Sequence, residues 1–366
     1  MTSPNAVARV APGDPEAARR PPALALFGTG YLATRVTRAG DGFLWSRTAG
    51  PDRPEDFTSV PAALARAVRG RRGWAVGGTR VVLGAEERVR AEDYRPLPIR
   101  GAGAVERRYL APAPYSLGHV LGNRAAAAEH WAALPRLLER VGTVLRQVHT
   151  SFTGVPVAGG PAGPRRLARW LTVRQTDGRE ARLRREAHRV LGTERMATAA
   201  SWCTEAGATA APSVLLLGGT GLGSLVPTPD AADCVLLAGE ELAAGPASHD
   251  LGWIVGELAE FRLVHFTGPA GDAAAHCASA TTALLRGYTD GPGPLPASAG
   301  LDAVARSAVL RMFTHCLDYA AFVGWDDRLT GHLGVLAALL DHPMGTIDGL
   351  TDAPAAPGAA LETEEP

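Results

Sequence analysis

The chain has 366 residues, 46% of them hydrophobic, and its 37 basic and 37 acidic residues cancel. At roughly 150 residues per domain that length suggests two lobes or two domains, with enough apolar material for a core. The charge balance argues against nucleic acid or an anionic membrane as main partner, since both draw a basic surplus, and no apolar run approaches the ~18 residues of a membrane span.

Every one of the 37 basic residues is arginine. Chemistry that needs a lysine ammonium is therefore excluded. The abundance of Ala, Gly, Pro and Arg is what a GC-rich, actinobacterial genome would produce. Cys203, Cys234, Cys277 and Cys316 form no CxxC pair, which fits reduced cytoplasmic thiols better than a disulfide framework or a zinc knuckle.

Residues 1–22, rich in Pro, Ala and Arg and without an apolar stretch, read as a disordered tail rather than a secretory signal. A small β-rich lobe follows, over 23–120. "ALALFGTGYLATRVTRAGDGFLWSRT" is strand, Gly turn, strand, Gly-Asp-Gly turn, strand. "PEDFTSVPAALARAVRG" is a short helix with a capping cluster at Asp56, Thr58 and Ser59. "WAVGGTRVVL" is a hairpin turning on Gly77-Gly78.

Residues 121–350 read as a larger helical lobe. Trp131, Leu134, Leu137, Leu138, Val141, Val144, Leu145 and Val148 form one apolar stripe at helical spacing. A polar, arginine-rich helical stretch over 165–192 precedes a helix near Thr193–Gly207. Next comes "SVLLLGGTGLGSLVPTPDAADCVLLA", read as a β-hairpin over 213–238, and then four further helices. Residues 351–366, acidic and proline-bearing, read as a second disordered tail. The fold class is α+β.

"GGTGLGS" lacks the Gly-Lys-Ser/Thr ending of a nucleotide-binding P-loop, and no long helix follows it. "FGTGYLATR" has two readings: Gly28 and Gly30 could cover phosphates, or they form a tight hairpin turn. His276-Cys277 and His315-Cys316 cannot chelate as adjacent pairs, because neighbours on a helix point about 100° apart; they read as core residues.

The order "LLL", "GLGSLVP", "CVLLAGEE", "AAGP", "SHDLGWIVGEL", with the earlier helix "LERVGTVLRQVHT", resembles the catalytic core of the aminoglycoside and choline kinase-like phosphotransferases. The resemblance implies a two-lobed, protein-kinase-like fold. It covers about residues 130–345 and the small lobe more loosely. Carried over by position, the family's Asp that orients the attacking hydroxyl falls on Gly219. Its metal-binding Asn falls on Ser224 and its metal-binding Asp on Ala238. The phosphate-pairing lysine falls on Arg47.

Phosphoryl transfer needs all four roles. Gly and Ala offer no side-chain oxygen to a hard cation, and a guanidinium does not substitute freely for an ammonium. The resemblance thus implies a degenerate member, a pseudokinase serving as a binding or scaffold subunit with no catalytic residues, metal or cofactor.

Proteins resembling this family occur in bacterial clusters for ribosomally made peptides of the lanthipeptide and thioamide kinds, where a degenerate relative would suit a scaffold. The expected partners are a precursor peptide and an active kinase or lyase homologue. The basic stretch from Gly163 to Arg195, "GPRRLARW" through "GREARLRREAHRVLGTER", is either their surface or a solvated helical face.

Two alternatives stand beside this reading. A divergent kinase would hold magnesium through Glu240, Glu241 or Asp250. The competing readings there are a solvated turn for the two glutamates and a helix N-cap for Asp250. An ATP-sensing regulator would contact nucleotide through Arg47, Gly28 and Gly30.

Overall fold

The structure, a computed structural model, describes residues 22–70, 74–88, 94–101, 104–123, 128–151, 157, 159–173, 178–207, 213–266 and 271–349. The two expected tails lie outside these residues, apart from Pro22.

Three strands open the chain as read from the sequence: β1 (Ala23–Gly28), β2 (Leu32–Ala39) and β3 (Gly42–Ala49). Helix α1 (Ala62–Gly70) follows, then β4 (Ala75–Val76), β5 (Thr79–Leu83), β6 (Ala85–Arg88) and β7 (Val105–Ala111). The five-stranded sheet has the order β1-β2-β3-β7-β6 with every pair antiparallel. Its inner face carries Ala25, Val36, Trp45 and Tyr109. β4 and β5 do turn on Gly77-Gly78, with Val76 opposite Thr79. The cap expected for α1 differs: the helix starts at Ala62, Pro61 O receives the Ala65 N–H, and Thr58 donates its N–H to Glu240 O instead.

The helical part comprises α2 (Leu117–Gly122), α3 (Ala128–Ser151), α4 (Ala162–Thr172), α5 (Glu180–Gly207), α6 (Ser248–Phe266), α7 (Gly271–Thr289), α8 (Leu301–Phe322), α9 (Arg328–Asp341) and α10 (Gly345–Asp348). All eight residues of the apolar stripe on α3 are buried, and α3 and α6 enclose one core with α7. Each fully buried Leu or Val there contributes about 1.5–3 kcal/mol. α5 breaks at Gly192, with φ +74°, where the sequence changes from a polar to a more apolar helix. Among the described residues no helix is long and apolar enough to cross a membrane.

The expected 213–238 hairpin is only partly present. β9 (Leu225–Pro227) and β10 (Cys234–Ala238) form it through "TPDAAD". β8 (Val214–Leu216) instead pairs antiparallel with β11 (Ala243–Gly245). β10 also pairs in parallel with β5, giving a second sheet in the order β4-β5-β10-β9. Alternation cannot reveal this, because all five residues of β10 are buried and both faces read as apolar. The consequence is structural: strands from the two halves of the chain share one sheet, and the loops after β8 and β10 meet beneath β3.

Candidate functional site

The loop from Leu217 to Ser224, between β8 and β9, is held from the helical side by α6. Asp250, fully buried in the first turn of α6, accepts the Leu217 N–H at 2.8 Å and the Gly218 N–H at 3.0 Å. The preceding residue, His249, places Nε2 3.1 Å from Gly218 O; facing a carbonyl, that nitrogen is the donor. Gly218 is thus gripped through both its N–H and its carbonyl by two neighbouring residues.

His149 of α3 completes the arrangement. Its Nε2 lies 3.2 Å from Asp250 Oδ2 and its Nδ1 2.8 Å from the Tyr288 hydroxyl. Burial pushes the Asp250 carboxyl up, but the hydrogen bond and charge of His149 outweigh it and hold the group below its usual range. Burial, helped by the nearby His149, draws His249 down against the opposing pull of Asp250, Glu241 and the Gly218 carbonyl. Asp250 therefore does bind backbone N–H groups as expected, but those of the loop rather than its own helix. Further along, Glu257 of α6 accepts the Leu222 N–H and pairs with Arg311 of α8 at 2.5 Å.

Gly218 is required here. Its φ is +82°, and a Cβ would lie 1.7 Å from Glu241 O, a backbone atom that cannot swing aside. Gly218→Ala is expected to destabilise the protein by at least about 1–3 kcal/mol, the cost of such backbone strain alone; a thermal melt reads it.

On the cleft side, three of the positions singled out from the sequence meet. Arg47 of β3 is buried, with only 5% of its surface exposed. Its guanidinium donates to Gly223 O at 2.8 Å, Ser224 Oγ at 3.3 Å and Glu240 Oε1 at 3.2 Å. Ser224 Oγ in turn lies 3.3 Å from Gly219 O. Ala238 ends β10, packs in the core and gives its carbonyl to the Gly84 N–H at 3.2 Å. At Gly219 a Cβ would lie 3.5 Å from Glu241 Oε2, so an aspartate there would confront a carboxylate.

The solvated turn expected at Glu240 and Glu241 is a correction: both carboxylates point inward, 12% and 14% exposed, and each has an arginine. Arg53 reaches Glu241 at 3.0 Å. Burial would raise the Glu241 carboxyl, but Arg53 and Arg166 with the Tyr31 hydroxyl hold it below the ordinary range.

The Gly28-Thr29-Gly30 turn packs against protein. A Cβ on Gly28 would meet Leu97 at 2.8 Å, and one on Gly30 would meet Asp52 Oδ2 at 2.3 Å. The Gly30 N–H points to Phe322 O of α8 at 3.4 Å. Tyr31, which sequence reading passed over, donates its hydroxyl to Glu241 at 2.5 Å and accepts from Arg166 Nη1 at 2.6 Å. Its only sequence signal is an aromatic directly after the Gly-x-Gly turn.

Part of the arginine-rich stretch is tied into the fold, while Arg179, Arg182, Arg185 and Arg189 are exposed. Arg166 pairs with Asp318 at 2.7 Å, Arg165 with Glu55 at 2.5 Å, and Arg195 with Asp341 at 2.7 Å. Arg182 stacks on Trp325 at 4.1 Å. These four side chains tie α4 and α5 to α8, α9, the segment between them and the loop after β3. His315 pairs with Glu260 at 2.8 Å, whereas Cys277 and Cys316 are core residues. All four cysteines are buried, and burial pushes the thiols of Cys203, Cys234 and Cys277 up to about 12. Ellman's reagent at pH 8 is expected to modify none of the four in the folded protein and all four in urea, because only an accessible thiolate reacts.

No family model and no curated protein matches the chain. Among solved structures, an amicoumacin kinase in complex with AMP-PNP, Ca2+ and Ami superposes with a TM-score of 0.52 at 10% identity, covering 87% of each chain. The fold is that of the kinase-like phosphotransferases. A choline/ethanolamine kinase family protein from Mesorhizobium loti aligns over 90% of both chains at 18% identity and a TM-score of 0.45. An aminoglycoside phosphotransferase from Streptomyces rimosus covers 77% of this chain and 90% of its own at 14% identity, with a TM-score of 0.38.

A magnesium nucleotide, the group a kinase-like fold implies, does not fit the donor set present. Magnesium takes carboxylates and phosphates at near-octahedral geometry. Here Ala238 supplies no side-chain oxygen, Glu240 and Glu241 face guanidinia, and both Asp250 oxygens are taken by the loop and His149. Among the described residues no three His, Cys, Asp or Glu side chains are grouped so as to hold a metal ion.

Proposed function

We propose that this kinase-like fold serves binding rather than phosphoryl transfer. The observation that carries the reading is Arg47. The residue at the phosphate-pairing position of the sheet is buried and spent on Gly223 O, Ser224 and Glu240, across the space between sheet and loop. Both terminal nitrogens of its guanidinium are committed to the loop and Glu240, and a guanidinium does not substitute freely for the ammonium of that position. The divergent-kinase alternative needs Glu240 or Asp250 free, and each is occupied. The ATP-sensing alternative needs Arg47 and the Gly28–Gly30 turn, which contact protein instead.

The partner we propose is a protein or peptide in bacterial ribosomal-peptide modification, a lanthipeptide-type precursor or the kinase or lyase that acts on it, in the cytoplasm. That part rests on sequence resemblance. The neutral charge balance supports the absence of nucleic acid from the partner set.

The test is calorimetric titration of the full chain with ATP, with and without magnesium, beside a phosphorylation assay on a Ser/Thr-rich precursor peptide. No heat with ATP and retention of the peptide on immobilised protein is the expected result. Magnesium-dependent ATP binding with phosphate on the peptide would overturn the reading and restore an enzyme.

A further inference from the structure

We infer that Tyr31 is an interlobe latch, a plug carried on the β1–β2 turn that holds the sheet closed on the helical part. The inference stands on geometry independent of whether phosphate is transferred. Tyr31 belongs to the sheet, yet its hydroxyl is bonded on two sides to the other half. It donates to Glu241, just after β10, at 2.5 Å, and it accepts from Arg166 of α4 at 2.6 Å. Arg166 is itself fixed by Asp318 of α8 at 2.7 Å. The ring is enclosed as well. The Arg53 and Arg166 guanidinia each lie 4.3 Å from its centroid, and the Phe322 ring lies 5.2 Å away.

Two features distinguish a latch from ordinary packing. First, the contacts converge on the tip of a turn rather than on a regular element. Residues 28–32 of this turn are only partly buried, so it costs less to move than a core strand. Second, the tip is polar. Tyr31, Glu241, Arg53, Arg166 and Asp318 form a connected set whose charges cancel, two guanidinia against two carboxylates. Such a set is satisfied as a whole or not at all, because an unpaired member in a low-dielectric site is costly. It therefore has two states, made and broken. The backbone ties beside it, Gly30 N–H to Phe322 O and Thr58 N–H to Glu240 O, run between the same two halves and report which state holds.

Site-resolved amide exchange on the full chain at pH 7, wild type against Tyr31→Ala and Tyr31→Phe, tests this. In Tyr31→Ala the amides of Gly30 and Thr58 are expected to exchange about tenfold faster or more. Leu217 and Gly218, held by Asp250 from the helical side, and the α3 amides should keep wild-type protection. Tyr31→Phe retains the ring and loses the hydroxyl, so it should give a smaller acceleration at the same two amides. Unchanged exchange at Gly30 and Thr58 in both variants would show that the tyrosine holds nothing shut. Acceleration spread evenly over Gly30, Leu217 and α3 in both would make Tyr31 a general packing residue and would equally end the latch.

Discussion

Asp250→Ala is expected to lower stability by about 3–5 kcal/mol at pH 7, the usual cost of removing one partner from a buried charged network. The carboxylate is fully buried and makes three polar contacts, with the Leu217 N–H, the Gly218 N–H and His149 Nε2. Alanine leaves two buried backbone donors and one imidazole donor with nothing to meet, and leaves His249, at the Gly218 carbonyl, to hold the loop at that point. Urea denaturation of both proteins gives the difference. The pH dependence carries a sign. The folded Asp250 carboxyl lies below its unfolded value, so its contribution is complete above about pH 4 and is lost as pH falls through the folded value. The gap between wild type and variant should therefore be constant from pH 5 to 7 and narrow below pH 4. A variant that is as stable as wild type would mean the loop is held by something other than Asp250.

Much of the scaffold was legible from residues. The stripe from Trp131 to Val148 announced α3, because a helix that buries one face repeats its apolar residues at 3.6. Gly77-Gly78 announced a hairpin, and Gly192 marked a break in α5. The pairing of β8 with β11 and of β10 with β5 was not legible, since strands buried on both faces carry no alternation and their partners lie far along the chain.

The site divides the same way. Position against a family pattern brought Arg47, Ser224 and Gly219 forward, and they do adjoin one another. Pattern could not say that Glu240 and Glu241 turn inward, because a carboxylate beside a turn looks the same whether it meets water or an arginine from another strand. Nor could it find Tyr31 with Arg166, or His149 with Asp250: those residues are 135 and 101 positions apart, and only the fold brings them together.

The Arg47–Glu240 pair separates a structural site from a catalytic one. Both side chains are largely buried, at 6% and 12% exposure, and their atoms lie 3.2 Å apart. Arg47→Ala alone leaves Glu240 uncompensated, and Glu240→Leu alone leaves Arg47 with only neutral acceptors, so each single change is expected to cost about 3–5 kcal/mol. The double variant Arg47→Met/Glu240→Leu replaces the pair by apolar groups of similar volume and should recover most of that loss, because two desolvation penalties vanish along with one attraction. Residues in contact couple in this way, whereas independent sites would simply add. Residual destabilisation in the double variant would come from Gly223 O and Ser224 Oγ, which lose their donor. If instead Glu240 served a metal, its removal would relieve Arg47 of a partner it did not need: stability would barely move, the double variant would show no recovery, and any phosphate transfer would disappear with the single change. The denaturation curves of these proteins thus decide whether the carboxylate after β10 is a ligand kept for chemistry or half of an ion pair that joins sheet to loop.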